Sequence, residues 1–464
     1  SKILLRPFMK TKFLMPLLAS SFLLLATACT SSDSSEDSTP TNPQPPSAET
    51  PVDPGQGGGS AAPVPVMPSS VSDPAITQNL YAAWKAGSYV SAADEAAKYP
   101  SLGAEFNEIF GPYINAGRMP GRVIWSTSSN SKCLIDEAQG TPMYKRGCTV
   151  SEGIGYGMLI TLFQGDMDAY NAIWTYSQGY RNSIYSGGTG LMPWLTNTFH
   201  WDVIDGSSAT DADLDIAASL VIAYYKTGNQ EYLNDALSLI NAIWEHEINP
   251  ANLLIYSGDT PMWHTADPAY NLSYFSPVAL RLFAMVDPNH NWTGVLDAMY
   301  AYMQKVQAAG TGVFPDWSNG AGVAVNPDNG SADKTYWLFD KESVRIPWRI
   351  AWDYYWFKDE RALAVLNTLQ SFISAKSNGD PAQIPSVNYS WNPTIGADKS
   401  GNALPIQWRG AWCLTGMNGS QGWLDACLAI FNQEPMQVTN GSYFSNILQM
   451  MFSQLMNGYY VKPF

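Results

Sequence analysis

The sequence predicts an all-α protein built in two layers, and three observations predict it. Long stretches place apolar residues at helical spacing with a polar side opposite. Other stretches of helical composition are apolar nearly all round, as expected of helices enclosed by other helices. No run of alternating strands and no strand–helix–strand rhythm interrupts them, and helix pairs recur roughly every 30–60 residues. Inner and outer helices together make a layered all-α barrel.

Taken in chain order, the first segment is not part of that barrel. The run "MKTKFLMPLLASSFLLLATAC" places Lys10 and Lys12 ahead of an apolar stretch and Ala26-Thr27-Ala28 before Cys29. Residues 1–28 thus have the build of an export signal, and the residues before Met9 read as an upstream extension of the true start. The segment resembles a bacterial lipoprotein signal with Cys29 as the lipidated residue, plain secretion being the alternative. Residues 13–28 are short for a membrane span of about 20 residues, so processing is expected rather than an uncleaved anchor. The expected location is the outer membrane or cell surface, as a lipoprotein, or the medium.

Residues 29–75 are rich in Ser, Pro and Gly, too polar to offset the entropy of ordering them, and read as a disordered tether. Residues 76–464 form the working domain. Within it, residues 231–246 put Leu233, Ala236, Leu237, Ile240 and Trp244 on one stripe. Residues 293–307 do so with Val295, Met299, Met303 and Val306, and 359–373 with Leu363, Leu366, Phe372 and Ile373. These are outer helices. "LDIAASLVIAYY" from 214 and "VRIPWRIAWDYYWF" from 344 are apolar on every side and are expected to be inner ones. The 317–339 segment is long for a loop in a compact domain, which points to function.

Composition narrows the partners. Charged residues make up 14% and aromatic ones 13%, so the surface is neutral-polar and rich in rings. Four of the 25 basic side chains fall in the first 28 residues, which carry no acid, leaving 21 bases against 40 acids in the remainder. Nucleic acid is excluded as a partner, because phosphate binding needs clustered Lys and Arg. A lyase acting on acidic polysaccharides is disfavoured for the same reason. The only membrane contact expected is through Cys29, and the chain is expected to be a monomer.

With Cys29 lipidated, Cys133, Cys148, Cys413 and Cys427 remain, an even number for an oxidising compartment. Three pairings are possible, and the local ones, Cys133–Cys148 and Cys413–Cys427, are favoured. The four histidines are scattered and no cysteine or histidine spacing suggests zinc, so neither metal nor cofactor is expected.

Two stretches carry candidate chemistry. "TVSEGIGYGM" (149–158) sets Glu152 among glycines, which permit close approach of backbone or ligand and also suit a tight turn before a helix. It lacks the spacing and the preceding strand of a nucleotide loop. "SATDADLDIAASL" (208–220) leads three acids, Asp211, Asp213 and Asp215, into a buried helix. Thr210 followed by Asp213 has the form of a capping box, and acids suit a helix N-terminus. A calcium loop is ruled out by Ile216 and Ile222 where glycine and glutamate are needed. Three acids before an almost wholly apolar helix exceed what capping explains.

In this order the two stretches resemble glycoside hydrolase family 8, and "GLMPW" (190–194), "YFSPVALRLF" (274–283), "FPDW" (314–317) and "RIPWRIAWDYYWF" (345–357) extend the likeness. The resemblance implies an (α/α)6 barrel and endo-acting hydrolysis of a β-1,4-linked polysaccharide with inversion. It implies Glu152 as general acid and Asp211 as the residue that hydrogen-bonds the distorted sugar at the central subsite. Inverting chemistry needs a carboxylic acid and a carboxylate held roughly 6.5–9.5 Å apart around a water. The family's base is an aspartate three residues before the arginine. Here "FDKESVRIPWR" puts Glu342 at that position and Asp340 five before Arg345. Glu342 is the first choice for base and Asp340 the second, with Asp328 or Asp333 in the 317–339 loop as further candidates. Trp194, Tyr274, Trp317 and Trp348 are candidates for stacking on sugar faces, and Arg345 for binding hydroxyls or orienting the base. The substrate expected is cellulose-type glucan, then xylan, then chitosan. The departure at the base also leaves room for a non-catalytic glycan-binding protein on the same scaffold.

Overall fold

The structure, a computed structural model, describes residues 66–70, 73–93, 104–125, 147–196, 203–327, 334–437 and 442–464. The export signal, Cys29, Cys133, Asp328 and Asp333 lie outside the described residues.

Six helices form a closed inner ring: α3 (Ser151–Gln164), α5 (Thr210–Thr227), α7 (Pro277–Val286), α9 (Ile346–Phe357), α11 (Ile406–Leu414) and α13 (Tyr443–Met456). Each packs on the next, and α13 returns to α3. Each also packs on an outer helix: α4 (Met167–Arg181), α6 (Gln230–Glu247), α8 (Trp292–Ala308), α10 (Glu360–Lys376), α12 (Gln421–Phe431) and, against α13, α1 (Ala75–Ser88). This is an (α/α)6 barrel, with α2 (Ala104–Asn115) added outside α4.

The layering follows from the sequence pattern. Residues 211–223 of α5 are buried without exception, as an all-round apolar helix requires. Outer α6 buries Leu233, Ala236 and Ile240 and leaves Glu231, Asn234, Ser238, Asn241 and Glu245 exposed. Helix starts differ between layers too. Asp166, Asn229, Asn291 and Asp359 cap outer helices α4, α6, α8 and α10 by accepting a backbone N–H. None of the six inner helices has a side-chain cap. The expected capping box at Thr210 is therefore corrected: Ala209 occupies the cap position, and Asp213 accepts the Met192 N–H at 2.9 Å instead.

Three small antiparallel sheets tie the loops: β1 (Tyr89–Ser91) with β2 (Gly121–Val123); β3 (Thr149–Val150), β4 (Leu195–Thr196) and β5 (Val203–Asp205); and β6 (Val387–Asn388) with β7 (Lys399–Ser400). The three-stranded one brings together the segments that enter α3 and α5. Cys413–Cys427 is a disulfide that staples α11 to α12, as the local pairing anticipates. Cys148 is also disulfide-bonded. The domain boundary moves from 76 to at least Val66: Val66 is buried, and Ser69 donates from its N–H and Oγ to Asp425 on α12 at 2.8 and 2.6 Å. The end of the Ser/Pro/Gly-rich segment is thus docked, because it carries an apolar residue and a donor that the barrel surface satisfies.

Candidate active site

Inner helices meet at their uncapped N-terminal ends, and the candidate residues gather there. Glu152 is in the first turn of α3 and is the one residue of 151–161 that is not buried. Asp211 lies in the first turn of α5, Tyr443 opens α13, Asn271 and Tyr274 precede α7, and Glu342 and Arg345 precede α9. Helix N-termini carry partial positive charge, which suits a cluster of acids.

Arg345 holds the cluster together. Its Nη1 donates to Glu152 Oε2 at 2.6 Å, to Asp211 Oδ2 at 3.2 Å and to the Tyr156 hydroxyl at 3.2 Å. Its Nη2 donates to Glu342 Oε2 at 2.5 Å, which also accepts from Asn271 Nδ2 at 2.9 Å. Glu152 and Glu342 thus sit on different nitrogens of one guanidinium. Their side chains are 20% and 22% exposed, whereas Arg345 and Asp211 are each 2% exposed. Of these four side chains the two glutamates are the ones that reach solvent.

Three carboxylates on one cation leave the cluster short of positive charge. Burial pushes the Glu152 carboxyl above its usual range, Arg345 and the 2.8 Å hydrogen bond donated by Tyr443 hold it back, and the Glu342 charge adds to the rise. Burial raises Asp211 well above the ordinary value, against Arg345 and with the help of Glu152. Asp211 Oδ1 is buried without a hydrogen-bond partner among the described residues. The arrangement can therefore offer a proton from one side of a bound group and accept one on another.

One turn deeper, Arg349 makes a bidentate pair with Asp215 at 2.5 and 2.9 Å and donates from Nε to Ser273 O at 2.9 Å. The glycines of "TVSEGIGYGM" explain how closely these parts approach. They lie inside α3, not in a turn, and what fills the space beside them is protein. A Cβ on Gly155 would sit 3.0 Å from Asp215 Cβ and 3.1 Å from Ala212 O, and one on Gly153 would sit 3.2 Å from the Tyr443 hydroxyl. The glycines bring α5 and α13 against α3, which places Asp211 and Tyr443 within reach of the Glu152 cluster.

The other sequence candidates divide. Asp340 accepts from Thr335 Oγ1 at 3.1 Å and from Asn388 Nδ2 at 2.7 Å. Trp194 is partly exposed, its carbonyl accepting the Ser151 N–H at 2.9 Å, and so adjoins the start of α3. The half-buried Tyr274 ring lies 5.6 Å from the Arg345 guanidinium. Trp348 is corrected to a core residue: it is 0% exposed, donates to the Tyr460 hydroxyl at 3.1 Å and packs edge-on to Tyr156. Trp317 is 5% exposed and stacks on Trp263 with ring centroids 5.4 Å apart, so Trp263, the less buried of the two, presents the more accessible ring.

Sequence reading missed four residues of this site: Tyr443, Asn271, Tyr156 and Asp316. Asp316, fully buried, accepts through Oδ1 the N–H groups of Asp340, Glu342 and Ser343 at 3.1, 3.2 and 2.9 Å, and the Ser343 hydroxyl at 2.8 Å. It shapes the turn that presents Glu342. The signal was present in "FPDW", where an acid set between Pro315 and Trp317 in an apolar stretch needs a partner if it is buried.

Comparison with known proteins identifies the family. Residues 140–455 match the profile of glycosyl hydrolases family 8. The chain is 30% identical over 328 residues to a β-glucanase of Niallia circulans, covering 64% of this chain and 78% of that one. It is 30% identical over 314 residues to endoglucanase 2 of Ruminiclostridium josui, covering 65% of this chain and 62% of that one, less than two thirds of the relative's length. Among solved structures, a β-1,3-1,4-glucanase from Paenibacillus sp. X4 superposes with a TM-score of 0.66 over 86% of this chain and 97% of that one. At 23% identity that likeness speaks for the fold alone.

Proposed function

This chain belongs to glycosyl hydrolase family 8, and on that premise we propose that it is an endo-acting, inverting β-1,4-glucanase. It is a glycoside hydrolase by family; the substrate, stereochemistry and residue roles are the reading argued next. The observation that carries it is the placement of Glu152 and Glu342 on different nitrogens of Arg345, both open to solvent above the buried Asp211.

In this reading Glu152 is the general acid. Burial keeps its proton at pH values where a free glutamate has lost it, so it can protonate the glycosidic oxygen as the bond breaks. Glu342 is the base that takes a proton from the attacking water on the opposite face of the sugar. Asp211 offers its Oδ1, which has no partner among the described residues, to a sugar hydroxyl. Arg345 keeps the three acids apart and fixes their directions. Trp194, Tyr274 and Trp263 supply rings for the sugar faces, which are apolar enough to stack. The export signal and Cys29 support an exported enzyme held on a tether, able to sweep for a polymer larger than itself.

The test is release of new reducing ends from carboxymethylcellulose, mixed-linkage glucan, xylan and chitosan, with Glu152→Gln alongside. The reading expects the highest rate on a glucan and its loss in the variant. Activity confined to xylan or chitosan would move the substrate, and no release from any of the four would leave a glycan-binding protein.

A further inference from the structure

The three acids of 211–215 serve three different ends. Asp211 joins the Arg345 cluster and Asp215 pairs with Arg349. Asp213, 0% exposed, does neither. Its Oδ1 accepts the Met192 N–H at 2.9 Å, and its Oδ2 is buried with no donor. Glu247, the last residue of α6, is equally buried; its Oε1 accepts from Ser208 Oγ at 2.6 Å, and its Oε2 again has no donor. The two carboxyl groups lie within hydrogen-bonding reach of each other. Two carboxylate oxygens are both acceptors, so that contact requires a proton between them.

The pair joins the segments around Asp211. Asp213 is two residues beyond it on α5. Ser208, three residues before it, donates its N–H to Asp259 Oδ1 at 2.9 Å and accepts the Asp259 N–H on its Oγ at 3.1 Å. Met192 is two residues before Trp194. The charged groups facing the pair are Arg181 at the end of α4, itself held by Asp235 at 2.5 Å, and Asp259 in the segment after α6.

We propose that Asp213 and Glu247 share one proton, and that this carboxylic acid–carboxylate pair is a positioning element that holds Asp211 and Trp194 in place. Loss of the proton sets two anions against each other in a dry site, and the start of α5 moves. Burial holds both groups above the ordinary carboxylate range, Asp213 at about 7 and Glu247 well above its usual value with the Asp213 charge adding to the rise. The native state therefore holds a proton that the unfolded chain releases at about pH 4. The stabilisation is complete below that value and is lost as the pH rises through neutrality into the alkaline range.

The effect on activity rests on the reading of Asp211 as a sugar-binding residue; the effect on stability does not. Glu247→Gln tests both, because an amide donates permanently to Asp213 Oδ2 while its oxygen still accepts from Ser208. The melting temperature and kcat/KM on mixed-linkage glucan are followed from about pH 5 to about pH 9 in the wild type, Glu247→Gln and Asp213→Asn. At least one amide variant is expected to halve the alkaline fall in melting temperature and to shift the alkaline limb of kcat/KM upward. If the melting profile flattens and the activity limb stays, the shared proton stands and the link to Asp211 fails. If both amide variants keep the wild-type melting profile, or neither folds, no shared proton holds this site.

Discussion

Two arginine–aspartate pairs one turn apart join α5 to the segment that leads into α9 and to α9 itself, Asp211 with Arg345 and Asp215 with Arg349, and they could hardly be used more differently. The lower pair is one cation to one anion, each 1% exposed, bidentate, with the remaining Arg349 donor satisfied by a backbone carbonyl. The upper one gathers Glu152 and Glu342 as well, leaves an oxygen of Asp211 unpartnered, and opens to solvent. A matched, sealed pair fixes the approach of two helices. Adding unmatched acids to the same motif raises a carboxyl's proton affinity and leaves bonding capacity for a ligand. The surplus of acids over arginine separates site from scaffold here.

Breaking each pair should therefore give opposite signatures. Glu152→Gln is expected to lower kcat on polymeric substrate by about 10³-fold or more with the melting temperature nearly unchanged, measured by reducing-end release and calorimetry. Asp215→Ala should show the reverse order: it leaves Arg349 buried and unpaired, at a cost of about 3–5 kcal/mol in denaturant unfolding. If Asp215→Ala unfolds normally, the lower pair is not the structural one. Gly155→Ala probes the contact between the levels, since the added methyl meets α5 at 3.0 Å. A loss of about 1–3 kcal/mol is expected, with activity falling as Asp211 is displaced. The smallest effect is on pH. The Tyr443 hydroxyl favours the ionised form of Glu152, so Tyr443→Phe should raise the pKa of that acid further. The alkaline limb of kcat/KM then moves to higher pH, and a shift to lower pH would contradict the sign of the interaction.

The barrel was legible because its signal is periodic: striped helices outside, uniformly apolar ones inside, each long enough to read alone. Glu152, Asp211 and Arg345 were legible because motifs surround them. Trp348 was misread for the same reason that revealed its helix. When every face of a helix is apolar, sequence does not say which ring points to the core and which to a cleft. Tyr443 and Asn271 left no trace, since each reaches the cluster from the start of a distant inner helix and only ring closure brings them together. The glycines around Glu152 suggested room for a polymer, whereas their neighbours are Tyr443 and α5. The boundary at 76 failed because Val66 and Ser69, set in a polar stretch, find partners only on α12.

The central claim is that Glu342, not Asp340, faces Glu152 as the base across Arg345. It is tested most directly by the initial rate of mixed-linkage glucan hydrolysis in Glu342→Gln and Asp340→Asn, assayed side by side at equal enzyme concentration. The account predicts a loss of about 10²-fold or more for Glu342→Gln and at most a few-fold for Asp340→Asn, whose partners lie toward β6. Near wild-type turnover in Glu342→Gln, with activity lost in Asp340→Asn, would contradict it.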